Sequence, residues 1–199
     1  MPSLSRTLLI GAVTLPLALG ATAWADEVED AVKEALEYYQ SGDYSSAAGS
    51  LDYAAQLVRQ KKGGELEAFL PDALDGWTAE AASSEGAGAA LLGGAVTARR
   101  SYVRDGDRVD IQIVTDSPLL QGMMMMLTNP SFATADGGKL ERIGGQKAIV
   151  KYDTTNRQGD VRIVAANRFL VTVEGAGVER SELVGYAEAV DYKALSAQQ

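Results

Sequence analysis

The feature that most constrains the fold is a change of period between Leu70 and Gly76. Before it, apolar residues recur every three to four positions, and after Trp77 they alternate. A chain of this kind needs two differently built parts, because a helical pattern does not sit as a strand or the reverse. Val28, Val32, Ala35, Leu36 and Tyr39 fall at i, i+4, i+7, i+8 and i+11, one stripe of a helix. Asp26, Glu27, Glu29 and Asp30 crowd its first turn, where the helix dipole favours negative charge. Ser41-Gly42-Asp43 stops it. A second helix then carries Tyr44, Ala47, Ala48, Leu51, Ala55 and Val58 as its expected inner face. Arg59, Lys61 and Lys62 sit in its last turn, and Gly63-Gly64 is the expected end. Residues 26–70 are thus expected to form a helical hairpin.

The second part, 71–199, reads as strands. "WTAEAAS" is a candidate first strand, and "SEGAGAALLGG" is a loop or a short loose helix. "AVTARRSYVR" and "RVDIQIVT" flank Asp105-Gly106-Asp107, a hairpin signal. Val109, Ile111 and Ile113 point one way, and Arg108, Asp110 and Gln112 the other. "KLERIGG", "QKAIVKYDT", "GDVRIVAAN" and "RFLVTVEG" are further strands, with "NRQGD" a turn. "VERSELVGYAEAVDYKAL" closes the chain as a helix with Leu183, Tyr186, Ala187 and Val190 as its stripe. The expected fold is α+β: an antiparallel sheet of about six to seven strands covered by helices on one face.

The first 25 residues read as a leader. Arg6 precedes the apolar run "TLLIGAVTLPLALGATAWA", which Pro16 interrupts and which ends in Ala23-Trp24-Ala25, small residues at −3 and −1 of a signal-peptidase site. The run is short for a spanning helix. Cleavage after Ala25 and a periplasmic location are therefore expected. From Asp26 on, 17 Lys and Arg face 27 Asp and Glu, a net charge near −10. That balance argues against nucleic acid and anionic membrane surfaces as partners. The chain has no cysteine and no histidine. Disulfides, imidazole bases, Ser-His-Asp or Cys-His pairs and His or Cys zinc sites are excluded. No motif pairs the remaining carboxylates, lysines or tyrosines for catalysis, so neither enzymatic activity nor a cofactor is expected.

"SPLLQGMMMMLTNP" holds four of the five methionines. Ser117 suits an N-cap, Pro118 the first helical position and Asn129-Pro130 a stop. Successive helical residues step 100° around the axis, so Met123 to Leu127 cover every azimuth. Met123 and Leu127, with Leu119 or Leu120, can face a sheet, and Met125 then cannot. Met123, Met124, Met125, Met126 and Leu127 are the candidate binding residues. A protein partner of the cell envelope is one candidate occupant. A small apolar or lipidic ligand is another, and a Cu(I) ion shared by Met123 and Met126 a third. No His or Cys is present to complete a copper shell, so no metal site is assigned. Arg99, Arg100, Arg104 and Arg108 are a candidate anion cluster beside Asp105, Asp107 and Asp110. "DGDRVD" lacks the length and the final glutamate of a calcium loop, and "GAGAALLGG" lacks the lysine of a phosphate loop.

"ALEYYQSGDYSSAAGSLDYAAQLV" resembles a single tetratricopeptide unit, with Ala47 and Ala54 where that repeat needs small residues for close helix packing. A peptide groove takes about three such units, and no second copy appears. The strand order and closing helix of the second part resemble the PsbP-like fold of periplasmic and lumenal accessory proteins. "YAAQLVRQKK", "LDGWTAE", "IQIVTDSPLLQGMMMMLTNP" and "LERIGGQKAIVKYD" resemble a group of uncharacterised secreted bacterial proteins. These resemblances imply an accessory or binding role and transfer no functional residues.

Overall fold

The structure, a computed structural model, describes residues 23–85, 95–129 and 137–198. The expected leader lies outside these residues except for its last three, which open the first helix. The Gly- and Ala-rich segment 86–94 and Pro130 also lie outside. The chain divides into two compact units, residues 1–54 and 55–199. The division falls inside the second helix, earlier than the expected boundary near Leu70.

The first unit holds α1 (Ala23–Ser41) and the start of α2 (Tyr44–Glu67). Gly42, at φ 85°, makes the turn, and the N–H of Asp43 donates to the Tyr38 carbonyl at 2.9 Å. Asp43 then caps α2, accepting from the N–H of Ser46 at 3.1 Å and its hydroxyl at 2.7 Å. Those hydrogen bonds hold the Asp43 carboxyl below its usual pKa. The seam is built from Ala31, Ala35, Ala47 and Ala54, all buried, with Ser50 donating to Glu34 at 3.0 Å. The small residues expected at Ala47 and Ala54 do line the contact. Of the expected inner faces only Ala35 and Ala47 do so, while their large members Val32, Leu36, Tyr39, Tyr44, Leu51 and Val58 are exposed. Alanine seams draw helix axes close, and the long side chains then have room only at the margins.

The second unit is an antiparallel eight-stranded sheet. Its strands are β1 (Thr78–Ala79), β2 (Ser83–Glu85), β3 (Val96–Arg104), β4 (Asp107–Thr115), β5 (Lys139–Ile143), β6 (Gln146–Asp153), β7 (Gln158–Ala165) and β8 (Phe169–Ala176). The order is β1-β3-β4-β8-β7-β6-β5, and β2 also pairs with β3. The candidate first strand is two short pieces, both on β3. Asp105 and Gly106, both at positive φ, make the expected β3–β4 turn. One face of the sheet is the main core. Val109, Ile111, Ile113, Val161, Ile163, Val171 and Val173 are fully buried there.

Among the described residues α4 (Arg180–Ala189) and α5 (Tyr192–Ala197) lie on that face with the end of α2, and α3 (Leu119–Thr128) lies elsewhere. The expected single closing helix breaks at Val190, whose backbone is extended. Leu183, Tyr186, Ala187 and Val190 are all buried, and the break lets Tyr192 and Leu195 join them. The Tyr186 ring lies 4.5 Å from that of Tyr102 and meets Trp77 edge-on at 5.4 Å. The Tyr102 hydroxyl donates to the Pro71 carbonyl at 2.6 Å, and burial pushes its pKa up. This ties the segment between α2 and β1 to the core. Gly63-Gly64 does not end α2, which runs on to Glu67. A Cβ on Gly63 would come 2.8 Å from the Ser84 side chain. The glycine permits that approach, and Leu66 joins the core beyond it. Tertiary packing outweighs the roughly 1 kcal/mol helical penalty of glycine.

Candidate functional site

The helices do not all lie on one face, as the sequence suggested. β6 and β7 alternate: Ala148, Val150, Ile163 and Ala165 face the main core, while Ile149 and Val164 face away from it. α3 packs on this outer face, where Leu127 and Ile149 form a small second core with Met123, Met126, Leu140 and Val164. Its position follows from the topology. β4 ends beside β8 in the middle of the sheet and β5 is the far edge strand, so the connection must cross β8, β7 and β6. α3 is part of that crossing.

Asp116 starts the crossing. It turns the chain at φ 57°, a conformation Asp tolerates better than most residues. Its carboxylate pairs with Lys62, and with Arg168 at 3.5 Å. Burial opposes its ionisation, but the two cations outweigh that and hold its pKa below the usual value. Pro118 precedes the helix, and the Ser117 carbonyl accepts from the N–H of Leu120 at 3.1 Å. The cap residue is Pro118 rather than the expected Ser117. Its backbone has helical angles, as a first helical residue would, so the observed boundary departs from the expected one by a single residue. At the far end the N–H of Asn129 donates to the Met125 carbonyl at 3.1 Å, the expected stop.

The five candidate residues divide by azimuth. Leu127 is buried, as is Leu120 two turns earlier on the same stripe. Met123 and Met126 are half-buried against Ile149, Leu140 and Val164. Met124 is half-buried and Met125 is 63% exposed. The thioethers of Met123 and Met126 serve as packing. Among the described residues no group of three His, Cys, Asp or Glu could hold a metal ion.

The arginine cluster does not assemble. Arg100 and Arg104 lie on the core side of β3, whereas Arg99 and Arg108 belong to the outer face, because side chains alternate along a strand. Arg100 donates to the carbonyls of Glu80 at 2.9 Å and Pro71 at 3.3 Å. Arg104 pairs with Glu182 at 2.6 Å and Asp107 at 3.2 Å, and stacks 4.5 Å from the Trp77 ring. Arg108 pairs with Asp110 at 2.8 Å. Burial raises the Asp110 pKa, but hydrogen bonds from Arg108 and Ser101 outweigh it and hold the carboxyl low.

The sequence did not reveal one arrangement on the outer face. Asp110 pairs in register with Glu174, Glu174 with Asp160, and Asp160 with Lys151. Three carboxylates thus sit abreast on β4, β8 and β7, beside an open concavity of about 450 Å³. Like charges abreast repel, and Arg108 and Arg162, the latter 3.0 Å from Asp160, offset this. Strand order had to be known before these residues could be seen as neighbours. No protein-family model matches the chain, and no curated protein or solved structure matches it significantly. Among the described residues no helix is long and apolar enough to cross a membrane.

Proposed function

We propose that the protein is an exported, non-enzymatic accessory protein of the bacterial envelope that binds another envelope protein through the apolar surface of α3. One observation carries this reading: Met125 stands 63% exposed while its neighbours on the same helix pack on the sheet. An unbranched thioether on an exposed helical crest adapts to many partner shapes. The leader-like residues 1–25, with cleavage after Ala25, support delivery to the periplasm. Met123, Met126 and Leu127 fill the space between α3 and the sheet, which favours a protein partner over a carrier holding an apolar ligand beneath the helix. The test is the double substitution Met124→Gln, Met125→Gln in the exported chain. Capture of the partner from the periplasm should fall about tenfold with the unfolding midpoint unchanged, and equal capture at equal stability ends the proposal. Native mass spectrometry of the purified protein should show the bare chain mass; a co-purifying ligand would favour the carrier.

A further inference from the structure

The hairpin carries a second surface, on the other compact unit. On α1, Val32, Leu36 and Tyr39 recur at i, i+4 and i+7, and on α2, Tyr44 and Leu51 at i and i+7, so each set is one stripe. The Tyr39 and Tyr44 rings meet at 5.7 Å, which places both stripes on the same face of the hairpin. All five side chains are exposed, from 47% at Val32 to 68% at Tyr44. Away from this face the hairpin is held by polar contacts: the Tyr53 hydroxyl donates to Glu27 at 2.6 Å, and in the seam the Ser50 hydroxyl donates to Glu34 at 3.0 Å. Five large apolar residues on one side of a two-helix unit make a contiguous patch of the kind that marks a binding surface.

Charge selects the occupant. Between Asp26 and Ala54 the hairpin carries Asp26, Glu27, Glu29, Asp30, Glu34, Glu37, Asp43 and Asp52 against Lys33 alone. Lys33 is itself bound to Glu29 at 2.9 Å. A helix is only about 10–12 Å across, comparable with the screening length at physiological salt, so this negative field reaches the apolar face. A second copy of the hairpin would bring like charge against like, and an anionic lipid surface would be repelled. A cationic partner is attracted, and a helix is the shape that lies along two parallel stripes.

We infer that the α1–α2 face docks a basic amphipathic helix of another protein, its apolar stripe seated between Leu36, Tyr39, Tyr44 and Leu51 and its Lys or Arg flanks over the hairpin carboxylates. The surface is separate from Met125, and either can fail alone. The test titrates the full chain with three labelled helical peptides by fluorescence anisotropy. One has a leucine stripe with lysine flanks, the second keeps the stripe with glutamate flanks, and the third scrambles the first. The basic amphipathic peptide should bind at least about tenfold more tightly than either control, and more weakly as salt rises. Leu36→Gln with Leu51→Gln should remove about tenfold of that affinity, while Met125→Gln leaves it unchanged. Circular dichroism of the double variant should match the wild type, since both side chains are exposed. Equal binding of the scrambled peptide, equal binding of the acidic one, or full affinity in the double variant overturns the inference. Concentration-dependent dimerisation through this face, read by sedimentation, overturns it in favour of a second copy.

Discussion

The two units invert one another. In the first unit the buried residues are alanines and Ser50, and the large side chains Val32, Leu36, Tyr39, Tyr44 and Leu51 face water. In the sheet unit Ile111, Ile113, Ile163, Phe169 and Leu183 are sealed, and polar residues such as Asp110, Asp160 and Glu174 hold the outer face away from the small core under α3. The contrast teaches that an apolar stripe marks a direction and leaves open which neighbour covers it. Where two helices meet through alanines, shape complementarity holds the contact, and the larger residues are left for something else. Where helices rest on a sheet, the larger residues are consumed by the fold.

Cutting large side chains in each unit tests this inversion most strongly. Phe169→Ala removes a ring sealed in the main core and should cost about 3–5 kcal/mol in urea unfolding. Leu51→Ala removes a side chain of similar class from the hairpin and should stay within about 0.5 kcal/mol. Comparable losses would mean that the hairpin face is covered. The glycines offer a test of sign. A Cβ on Gly159 would stand 2.3 Å from the Lys151 carbonyl oxygen, so Gly159→Ala should destabilise by about 1–3 kcal/mol. Gly49 lies within α2 with open space around it, so Gly49→Ala should stabilise by roughly 0.5–1 kcal/mol. Thermal melts of both variants read the two signs.

The smallest expected effect depends on pH. The folded chain holds the Asp116 carboxyl below its ordinary pKa, so its pairing stabilises the fold above the usual carboxylate range, near pH 4. That contribution fades as the pH falls through the lowered folded value. Asp116→Asn keeps a residue that tolerates the positive φ but loses the charge. At pH 7 it should be less stable by about 0.2–1 kcal/mol, and the gap to the wild type should close on acidification. Urea unfolding at a series of pH values measures it, and a gap independent of pH would assign the loss to the turn rather than the charge.

Much of the sheet was legible because its signals are local. Asp105-Gly106 fixes a turn, and Val109, Ile111 and Ile113 alternate against Arg108, Asp110 and Gln112. Met125 was legible as the residue that cannot face the sheet, because only helical geometry was needed. What failed depended on distant partners. Gly63-Gly64 looks like a stop until Ser84 stands beside it. Tyr44 and Leu51 look like an inner face until the alanines claim the seam. The four arginines look like a cluster until the strand sends alternate ones to opposite sides. The row Asp110, Glu174 and Asp160 is invisible until β8 is known to lie between β4 and β7.

That placement of β8 also governs how the molecule is made. A chain delivered from its N-terminus presents β3 and β4 as one ribbon and β5 to β7 as another, each with an open edge. Neither ribbon can join the other until Phe169–Ala176 arrives to pair with both. The β4 edge, complete at Thr115, therefore waits until Phe169 is made, while β7 ends at Ala165 and is met by β8 almost at once, so whatever shields the β4 edge in that interval decides how much protein reaches its folded form.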